Sequence, residues 1–426
     1  MANLTSGKIA EILFENALET YNHQDKLVDM CEFYQPDAAT LQNASNLIWR
    51  PTQQHAPIIT GWDLTGMEQD VIEETYPAQL EPAPFNDFVS LRADDLRDMT
   101  FWERRGQVAG MQQVTHLNQR IAERIRDHGS LFFKDSTETS GYDFVANAQA
   151  VMNERQGFDS GMRYFLFNDR DTLHFSQDLA ARQTLQGRPE MVWNSGMLGQ
   201  NIAGFDVYTC SFLPNLGGGA SPTSMVDGAN HVGRPTAGSV STAGVVSNSD
   251  YRVFDVTVDD GTLFSIGDKV TIGNLESVGL ADKTRTNQDM TFSVVDTGAT
   301  RFTVMPKPIS TTDAVNLSLT ERAYGNVSGS ISDNDSVVRL NTDTAVKSNL
   351  FFDKMAVEVL GGTLPANLFS EFDGLKVMSE RMKNGQTMYM VYDGNLTDLT
   401  FRFRVFTWWG ITVVNPSMAG VAVRGA

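Results

Sequence analysis

One stretch of the sequence differs from the rest and constrains the fold more than any other feature. From Gly217 to about Ser348 the chain is rich in Gly, Ser, Thr and Asp, and its recognisable elements are all strands. Apolar and polar residues alternate over 254–258 and 290–294, which is the two-residue period of a half-buried strand. Short strands at this spacing are typical of a small β-barrel. Because the flanking sequence mixes helix and strand, we predict that this stretch is a β-barrel domain inserted in a host domain.

A long helix is predicted over 98–129. Its apolar residues recur at steps of three and four, the period of one helix face: Met111, Val114, Leu117, Ile121 and Ile125. Asp98 is the predicted N-cap, and Gly129 ends the pattern. At 1.5 Å per residue the helix would be roughly 45–50 Å long. That length exceeds the average helix and is typical of a structural spine.

The N-terminal residues 7–20 are predicted to form a short amphipathic helix. Its apolar residues recur at near-helical spacing, while Glu11, Glu15 and Glu19 share one face. Like charges at this spacing repel each other slightly. Two interpretations of the acidic face remain open: a solvated surface, or a docking surface for a basic partner.

The segment 46–80 is predicted to be extended. Prolines interrupt any helix there, and Gly61 and Gly66 bracket a turn. The flanking stretches 47–52 and 71–79 are predicted to pair as a long hairpin. Because two strands alone are only marginally stable, we expect a neighbouring subunit to cover this hairpin.

The remaining sequence mixes helix and strand, so the predicted fold class is α+β. A helix is predicted over 142–155, and strands are predicted over 164–167, 207–212, 355–360 and 399–414. Two tryptophans, Trp408 and Trp409, lie in the last of these stretches. Such a cluster usually anchors a core or an interface. The alternative is a surface that stacks on bases or sugars.

Charge and apolar content limit the possible functions. The chain has 33 Lys and Arg against 52 Asp and Glu, a formal net charge of −19, which argues against a free-standing nucleic-acid-binding protein. An acidic protein can still enclose DNA, because like charge keeps the polymer off the wall. The N-terminus lacks the apolar core of a signal peptide, and no apolar run reaches ~18 residues, so we expect folding in a cytoplasm and no membrane partner.

Cys31 and Cys210 are predicted to be free thiols, with one disulfide as the alternative.

No arrangement of residues in the sequence indicates catalysis. The six histidines are scattered, and neither H-x-x-x-H nor H-E-x-x-H occurs. Asp94, Asp95 and Asp98 are interpreted as a charged helix start, the alternative being a metal or acid/base cluster. The acid-rich stretch 332–335 lacks the glycine and distal glutamate of a calcium loop, which favours a turn. We therefore predict no enzyme activity, no cofactor and no metal.

An ordered set of short motifs resembles the coat proteins of P22-like short-tailed phages. Each motif is weak alone, but together they follow the family's order over nearly the whole chain. They are GWDLT at 61–65, NDF at 86–88, LRADDLRD at 91–98, VANA at 145–148, AGFD at 203–206, GDK at 267–269, TFSVV at 291–295 and ERAY at 321–324. The resemblance implies an HK97-like capsid fold of the α+β class with an inserted β-barrel domain.

The resemblance also implies the bounds of the domains. In the order of the chain these are an N-arm at 1–45, an E-loop at 46–85, a P-domain spine helix region at 86–130, the first part of the A-domain at 131–221, the inserted β-barrel at 222–347, and the remainder of the A- and P-domains at 348–426.

By the same resemblance, the chain is expected to be a major capsid protein. Such proteins assemble with themselves, as hexamers and pentamers, into an icosahedral procapsid shell. A scaffolding protein and, at one vertex, a portal protein are the implied partners. The shell encloses double-stranded DNA without binding it specifically, and it expands on maturation. The expected location is the virion.

The resemblance assigns candidate site residues by position. They are Glu11 and Glu15 for scaffold contact, Trp62 and Asp63 for inter-subunit contact by the E-loop, Asn248, Asp250 and Arg252 for an inter-capsomer loop, and Gly217, Gly218 and Gly219 for a hinge. No Lys-Ser/Thr follows the three glycines, which favours a hinge over a phosphate-binding loop. The loop at 246–251 is shorter than its counterpart in the family.

Two other classes of function remain as alternatives. An acidic carbohydrate-active enzyme would use a pair of carboxylates. A phage tail or decoration protein would be a structural protein of another part of the virion. Gel filtration separates the enzyme from the shell protein, because a shell protein forms very large assemblies.

Overall fold

Two units make up the chain, whose structure is a computed structural model. The first unit consists of Met1–Ile48, Ala78–Ile121 and Glu358–Thr412, and the second of Trp49–Pro77, Ala122–Val357 and Val413–Ala426. The structure describes residues 6–37, 40–41, 45–52, 62–63, 65, 71–92, 99–135, 141–157, 159–181, 197–222, 224–228, 231–242, 246–273, 275–341, 345–364, 375–395 and 400–424.

The described helices are α1 (Ser6–Gln24), α2 (Met99–His128), α3 (Gly141–Arg155), α4 (Asp169–Ala181) and α5 (Leu319–Ala323). The described strands are β1 (Glu32–Tyr34), β2 (Leu47–Pro51), β3 (Thr75–Gln79), β4 (Phe85–Arg92), β5 (Leu131–Asp135), β6 (Arg163–Phe167), β7 (Met197–Ile202), β8 (Phe205–Thr209), β9 (Asn215–Leu216), β10 (Ser224–Met225), β11 (Ser239–Val240), β12 (Val246–Ser247), β13 (Phe254–Thr257), β14 (Lys269–Ile272), β15 (Glu276–Val278), β16 (Arg285–Asp289), β17 (Phe292–Thr297), β18 (Arg301–Met305), β19 (Val327–Ser328), β20 (Ser336–Arg339), β21 (Val346–Lys347), β22 (Asn349–Asp353), β23 (Val357–Gly361), β24 (Lys376–Arg381), β25 (Thr387–Asn395), β26 (Thr400–Thr407), β27 (Trp409–Val413) and β28 (Ala419–Arg424).

The elements that were predicted from long, regular patterns are confirmed. Helices α1, α2 and α3 correspond to the predictions at 7–20, 98–129 and 142–155. The predicted hairpin is present as the pair β2–β3. The helices are visible in the sequence because their apolar periodicity is local and needs no knowledge of distant residues. The hairpin is visible because prolines and turn glycines mark an extended segment.

A four-stranded antiparallel sheet in the order β24–β25–β26–β4 lies in the first unit. In β26 the buried residues Phe401, Phe403 and Val405 alternate with arginines on the other face. Trp102 of α2 packs on this strand, with its ring centroid 5.7 Å from that of Phe403 and 6.3 Å from that of Phe401. The start of α2 therefore supplies the large apolar side chain that fills the inner face of the sheet.

Helix α1 packs closely against α2 at two glycines. A Cβ atom at Gly106 would lie 2.4 Å from the carbonyl oxygen of Leu13, and one at Gly110 would lie 2.3 Å from that of Ala17. Real Cβ atoms do not approach other atoms so closely, so glycine is required for this helix contact. The apolar face of α1 is consequently buried inside the first unit.

A six-stranded mixed sheet in the order β5–β28–β22–β6–β8–β7 lies in the second unit. Strand β28 pairs in parallel with β5, and β6 pairs in parallel with β8, while β22 joins β28 and β6 in antiparallel register. Helix α3 covers this sheet with Phe144, whose ring centroid is 5.9 Å from those of Phe165 and Phe167. Aromatic packing of this kind dominates core burial.

The β-rich stretch forms a second six-stranded sheet within this unit, in the order β10–β20–β14–β17–β18–β13. The two outer strands approach each other at a bridge between Val226 and Val258. Two hydrogen bonds support this bridge, from Asp227 N to Thr257 O at 3.0 Å and from Asp259 N to Met225 O at 3.1 Å. Inside lies an apolar core: Val256, Phe264, Val270, Phe292, Val294, Phe302 and Val304, among others. The strands predicted from alternating residues are present.

Three strand predictions differ from the structure. The strand predicted at 207–212 is β8, which begins at Phe205 and ends at Thr209. The stretch predicted as one strand at 399–414 forms β26 and β27, separated at Trp408. Its backbone oxygen accepts from Gly362 N at 2.8 Å, and its indole Nε1 donates to Glu81 O at 2.8 Å, so Trp408 is held by contacts that end the ladder. The strand predicted at 355–360 begins only at Val357, because residues 354–356 form a 3-10 turn.

Other local predictions have simpler outcomes. Trp409 is fully buried and stacks on Phe85 at a centroid distance of 4.3 Å, which confirms the core role of this aromatic cluster. The acid-rich stretch 332–335 is a turn, in which Ser332 N donates to Asp335 Oδ2 at 2.7 Å. Asp94, Asp95 and Asp98 lie outside the described residues.

Candidate assembly sites

The acidic face of α1 is exposed. Glu11 and Glu15 point to solvent, while the opposite face is buried against the rest of the first unit through Leu13, Phe14 and Ala17. The two carboxylates are one helical turn apart, so they present charge at a single place on the surface. Because the apolar face is already buried within the first unit, the acidic face is the one that α1 exposes.

The turn residues of the hairpin that the structure describes are also exposed. Trp62 is the most exposed large apolar residue of the described chain. Asp63 beside it closes a local turn, in which Asp63 Oδ1 accepts from Thr65 N at 3.0 Å and from Thr65 Oγ1 at 2.6 Å. These two hydrogen bonds from Thr65 lower the pKa of Asp63. The neighbouring residues 53–61, 64 and 66–70 lie outside the described residues.

The loop that carries Asn248, Asp250 and Arg252 is held inside the second unit. Asp250 and Arg252 form an ion pair with each other, with Nη2 2.8 Å from Oδ2, and the Arg252 side chain is 6% exposed. Arg252 Nη1 also donates to Val413 O at 2.6 Å, and Tyr251 Oη donates to Val414 O at 2.5 Å. Arg252 and Asp250 are therefore engaged within the subunit, whereas Asn248 is only half-buried.

The three glycines Gly217, Gly218 and Gly219 follow β9, which pairs with β21. This two-stranded ribbon is where the chain enters and leaves the β-rich stretch. Gly217 and Gly218 are exposed, and a Cβ atom at Gly217 would meet no atom within 4 Å. The Gly217 carbonyl accepts from Asn341 Nδ2 at 2.7 Å. The three glycines thus lie where the chain enters the β-rich stretch, which is the position that a hinge would require.

Lys269 is a structural residue that the sequence reasoning missed. Its side chain is fully buried, and Nζ donates to Arg126 O at 2.5 Å, to Gly129 O at 2.6 Å and to Ser293 Oγ at 2.8 Å. The two carbonyls belong to the C-terminal end of α2, where unpaired carbonyls and the helix dipole favour a cation. The sequence signal was a lysine in the apolar strand KVTI, which local patterning cannot distinguish from an exposed residue.

Two physical effects act in opposite directions on the charge of Lys269. Burial lowers the pKa of Lys269 to about 7. The three oxygen acceptors favour the ammonium form, because that form has one hydrogen for each of them. Arg126 Nη1 in turn donates to Asn215 O at 2.9 Å, so the same helix end also contacts β9.

The described residues contain no grouping of three or more His, Cys, Asp or Glu able to hold a metal ion. Neither Cys31 nor Cys210 forms a disulfide bond in the part of the chain that the structure describes. Among the helices that the structure describes, none combines the length and the apolar character needed to span a bilayer. Among the described residues, the candidate sites are exposed surfaces and contacts between segments of the chain.

Comparison with known proteins gives one match over nearly the full length. The model of the family described as P22 coat protein, gene protein 5, matches residues 1–425. Among solved structures, one from Mycobacterium phage Che8 has 10% identity and a TM-score of 0.41, covering 94% of this chain and 91% of that chain. The capsid of the cyanophage P-SCSP1u has 10% identity and a TM-score of 0.44, covering 94% and 88%. The CUS-3 coat protein I-domain has 25% identity and a TM-score of 0.23, covering 29% of this chain and 100% of that one.

The family match is independent of the weak structural similarities and agrees with the motifs that run through the sequence. It covers both units and the β-rich stretch, and its description is that of a phage coat protein, the protein that forms a capsid shell. The resemblance proposed from the sequence is therefore confirmed. The chain belongs to the P22 coat protein family.

Proposed function

We propose that copies of this coat protein assemble as hexamers and pentamers into an icosahedral procapsid, which packages double-stranded DNA and expands on maturation. The observation that carries the proposal is the family match over residues 1–425. A scaffolding protein and a portal protein are the proposed assembly partners. The shell is the proposed location of the mature protein, after synthesis in the host cytoplasm. We propose no catalytic activity, because the family is one of structural proteins.

We also propose that the domains have the bounds expected from the sequence, within an HK97-like fold. The segment 222–347 would be the inserted β-barrel. Its support is the apolar core enclosed by six strands and the approach of the outer strands at Val226 and Val258. The N-arm, E-loop, spine helix region and A-domain would occupy 1–45, 46–85, 86–130 and 131–221, and the remaining A- and P-domain would occupy 348–426.

The proposed contacts follow from exposure and charge. Glu11 and Glu15 would meet basic side chains of the scaffolding protein, because both lie on the exposed face of α1. Trp62, with Asp63 fixing its turn, would be buried by a neighbouring subunit, since apolar surface is stabilised when it leaves water. Gly217, Gly218 and Gly219 would bend when the shell expands.

For the inter-capsomer loop we propose divided roles. Asp250 and Arg252 would fix the loop by their ion pair, which is held against Val413. Asn248 would be the residue that reaches a neighbouring capsomer. This division follows from exposure, because the Arg252 side chain is 6% exposed and has its hydrogen bonds within the subunit.

The net charge of −19 supports the proposed relation to DNA. A shell that repels the phosphate backbone can contain DNA without binding it. The alternatives, an acidic carbohydrate-active enzyme and a tail or decoration protein, have no family match in their favour.

Electron microscopy tests the proposed assembly. The full-length protein would be expressed with and without the scaffolding protein and separated by gel filtration. We expect closed shells of uniform size with the scaffold, and fewer or irregular particles without it. Exclusively monomeric protein under both conditions would contradict the proposal.

A further inference from the structure

The segment 71–77, which leads into β3 on the loop side of the hairpin β2–β3, docks on the β-rich stretch within the second unit. Ile72 N donates to the hydroxyl of Tyr324 at 2.9 Å. Thr75 makes two further bonds: its carbonyl accepts from Tyr251 N at 3.1 Å, and its Oγ1 donates to Ser249 O at 3.2 Å. Thr75 and Asp250 also form a parallel bridge. These bonds join the segment 71–77 to two separate loops of the β-rich stretch.

A carboxyl group lies buried in this joint. Glu74 is 6% exposed, and its Oε1 has no hydrogen-bond partner among the residues that the structure describes. The preceding residue, Glu73, is exposed. A buried carboxylate oxygen without a hydrogen bond is costly when it is ionised, but much less so when the carboxyl is neutral.

The charged and titratable groups around Glu74 come from three elements. Lys307, itself 7% exposed, attracts the Glu74 carboxylate, and the Thr236 backbone amide donates to it. The Tyr251 hydroxyl and Asp250 also lie in this cluster: Tyr251 interacts with Glu74, and Asp250 with Lys307. Arg252 belongs to the same loop but is paired with Asp250. One buried cation therefore faces two carboxylates.

We propose that this joint is a proton-sensitive clasp: neutral Glu74 keeps the segment 71–77 seated on the β-rich stretch, and ionised Glu74 loosens it. The clasp acts on the loop side of the hairpin β2–β3, so its opening would free residues 71–77 to change direction. Only that consequence for assembly rests on the proposed function. The clasp itself is a property of the isolated subunit.

The direction of the pH effect follows from proton linkage. Desolvation raises the pKa of Glu74 from 4.5 to about 7, against the smaller opposing effects of Lys307 and the Thr236 amide. Between these two pH values the closed joint binds more protons than the open one, so its stability falls as the pH rises. The contribution is complete below about pH 4.5 and is lost as the pH rises through about 7.

Hydrogen exchange measured by mass spectrometry on the full-length, unassembled protein tests the clasp. Peptides covering 71–77 and 249–252 would be followed at about pH 5.5 and about pH 8, after correction for intrinsic exchange rates. We expect protection in the wild type to fall by roughly an order of magnitude at the higher pH. Equal protection at both pH values would overturn the proposal, whatever the outcome of any assembly assay.

Two variants and a matched control identify the group. Glu74→Gln cannot ionise, so we expect equal protection at both pH values. Glu73→Gln changes the exposed neighbour and should keep the wild-type difference. Lys307→Gln removes the attracting cation and should move the transition to higher pH. A Glu74→Gln protein that keeps the wild-type pH difference would assign the effect to another group and refute the clasp.

Discussion

Lys269 shows how a single buried cation can join two distant parts of the second unit. Its three hydrogens each meet an oxygen, two of them carbonyls at the end of α2 and one the Ser293 hydroxyl. Ser293 Oγ also donates to Asp127 O, so the strand β17 reaches the same helix end. The last carbonyls of the helix thus accept hydrogen bonds from side chains of the β-rich stretch, in addition to the bond from Gly129 N to Ile125 O.

We predict that Lys269→Met destabilises the subunit by about 2 kcal/mol, because it leaves buried carbonyls at Arg126 and Gly129 without a donor. Removal of a buried charge offsets part of this loss. Urea denaturation of the unassembled protein measures the change. Lys347→Met, at an exposed lysine of β21, is the control and should unfold like the wild type. A Lys269→Met protein as stable as the control would show that the three hydrogen bonds contribute nothing net.

At the scale of elements, the contact of α1 with α2 depends on glycine. We predict that Gly110→Ala destabilises the first unit, although alanine favours a helix over glycine by about 1 kcal/mol. The added Cβ would lie 2.3 Å from the Ala17 carbonyl oxygen, and such overpacking costs typically about 1–3 kcal/mol or more. The steric cost therefore exceeds the gain in helix propensity, and the variant should unfold at a lower temperature than the wild type.

The matched control for this helix contact is Gly394→Ala in β25, where a Cβ atom would meet nothing within 4 Å. We expect this variant to unfold close to the wild type. If Gly110→Ala instead unfolded at a higher temperature than the wild type, the gain in helix propensity would exceed the steric cost. That result would contradict the close packing of α1 on α2.

The hairpin carries a prediction at the same scale. Trp62→Ala should impair shell assembly and leave the subunit folded, because Trp62 makes its proposed contacts outside the subunit and is fully exposed within it. Circular dichroism and thermal unfolding report on the fold, and the yield of particles in electron microscopy reports on assembly. Shells formed at wild-type yield would remove the proposed role of the E-loop tip.

At the scale of the whole molecule, the net charge of −19 means that electrostatic attraction to the proposed scaffolding protein has to come from local surfaces. We predict that Glu11→Gln combined with Glu15→Gln weakens binding to the scaffolding protein several-fold at low salt. The difference should shrink at high salt, since screening acts on exposed charges. Asp29→Asn, at another exposed acidic position of the first unit, is the control. Unchanged co-assembly of the double variant would favour the alternative of a merely solvated face.

Much of the fold could be predicted from the sequence, because its signals are periodic and local. The thirty residues of α2 repeat one apolar face, and the alternation in 254–258 and 290–294 marks strands of the β-rich stretch. The family could also be predicted, because the short motifs follow the family's order over nearly the whole chain. The prediction of a single strand at 399–414 was wrong, because Trp408 is held by hydrogen bonds with Gly362 and Glu81. A local sequence pattern cannot reveal such distant partners.

The sequence by itself determined most of the element types, the β-rich stretch of a mixed α+β chain, the acidic character and the coat-protein family. Only the tertiary structure decided which polar groups are buried and what they meet. Lys269 looks like any lysine until the end of α2 is placed around it, and Arg252 looks available for a neighbour until the Val413 carbonyl binds it. The physical reason is that burial and pairing depend on residues more than a hundred positions apart, whereas periodicity depends on the nearest few.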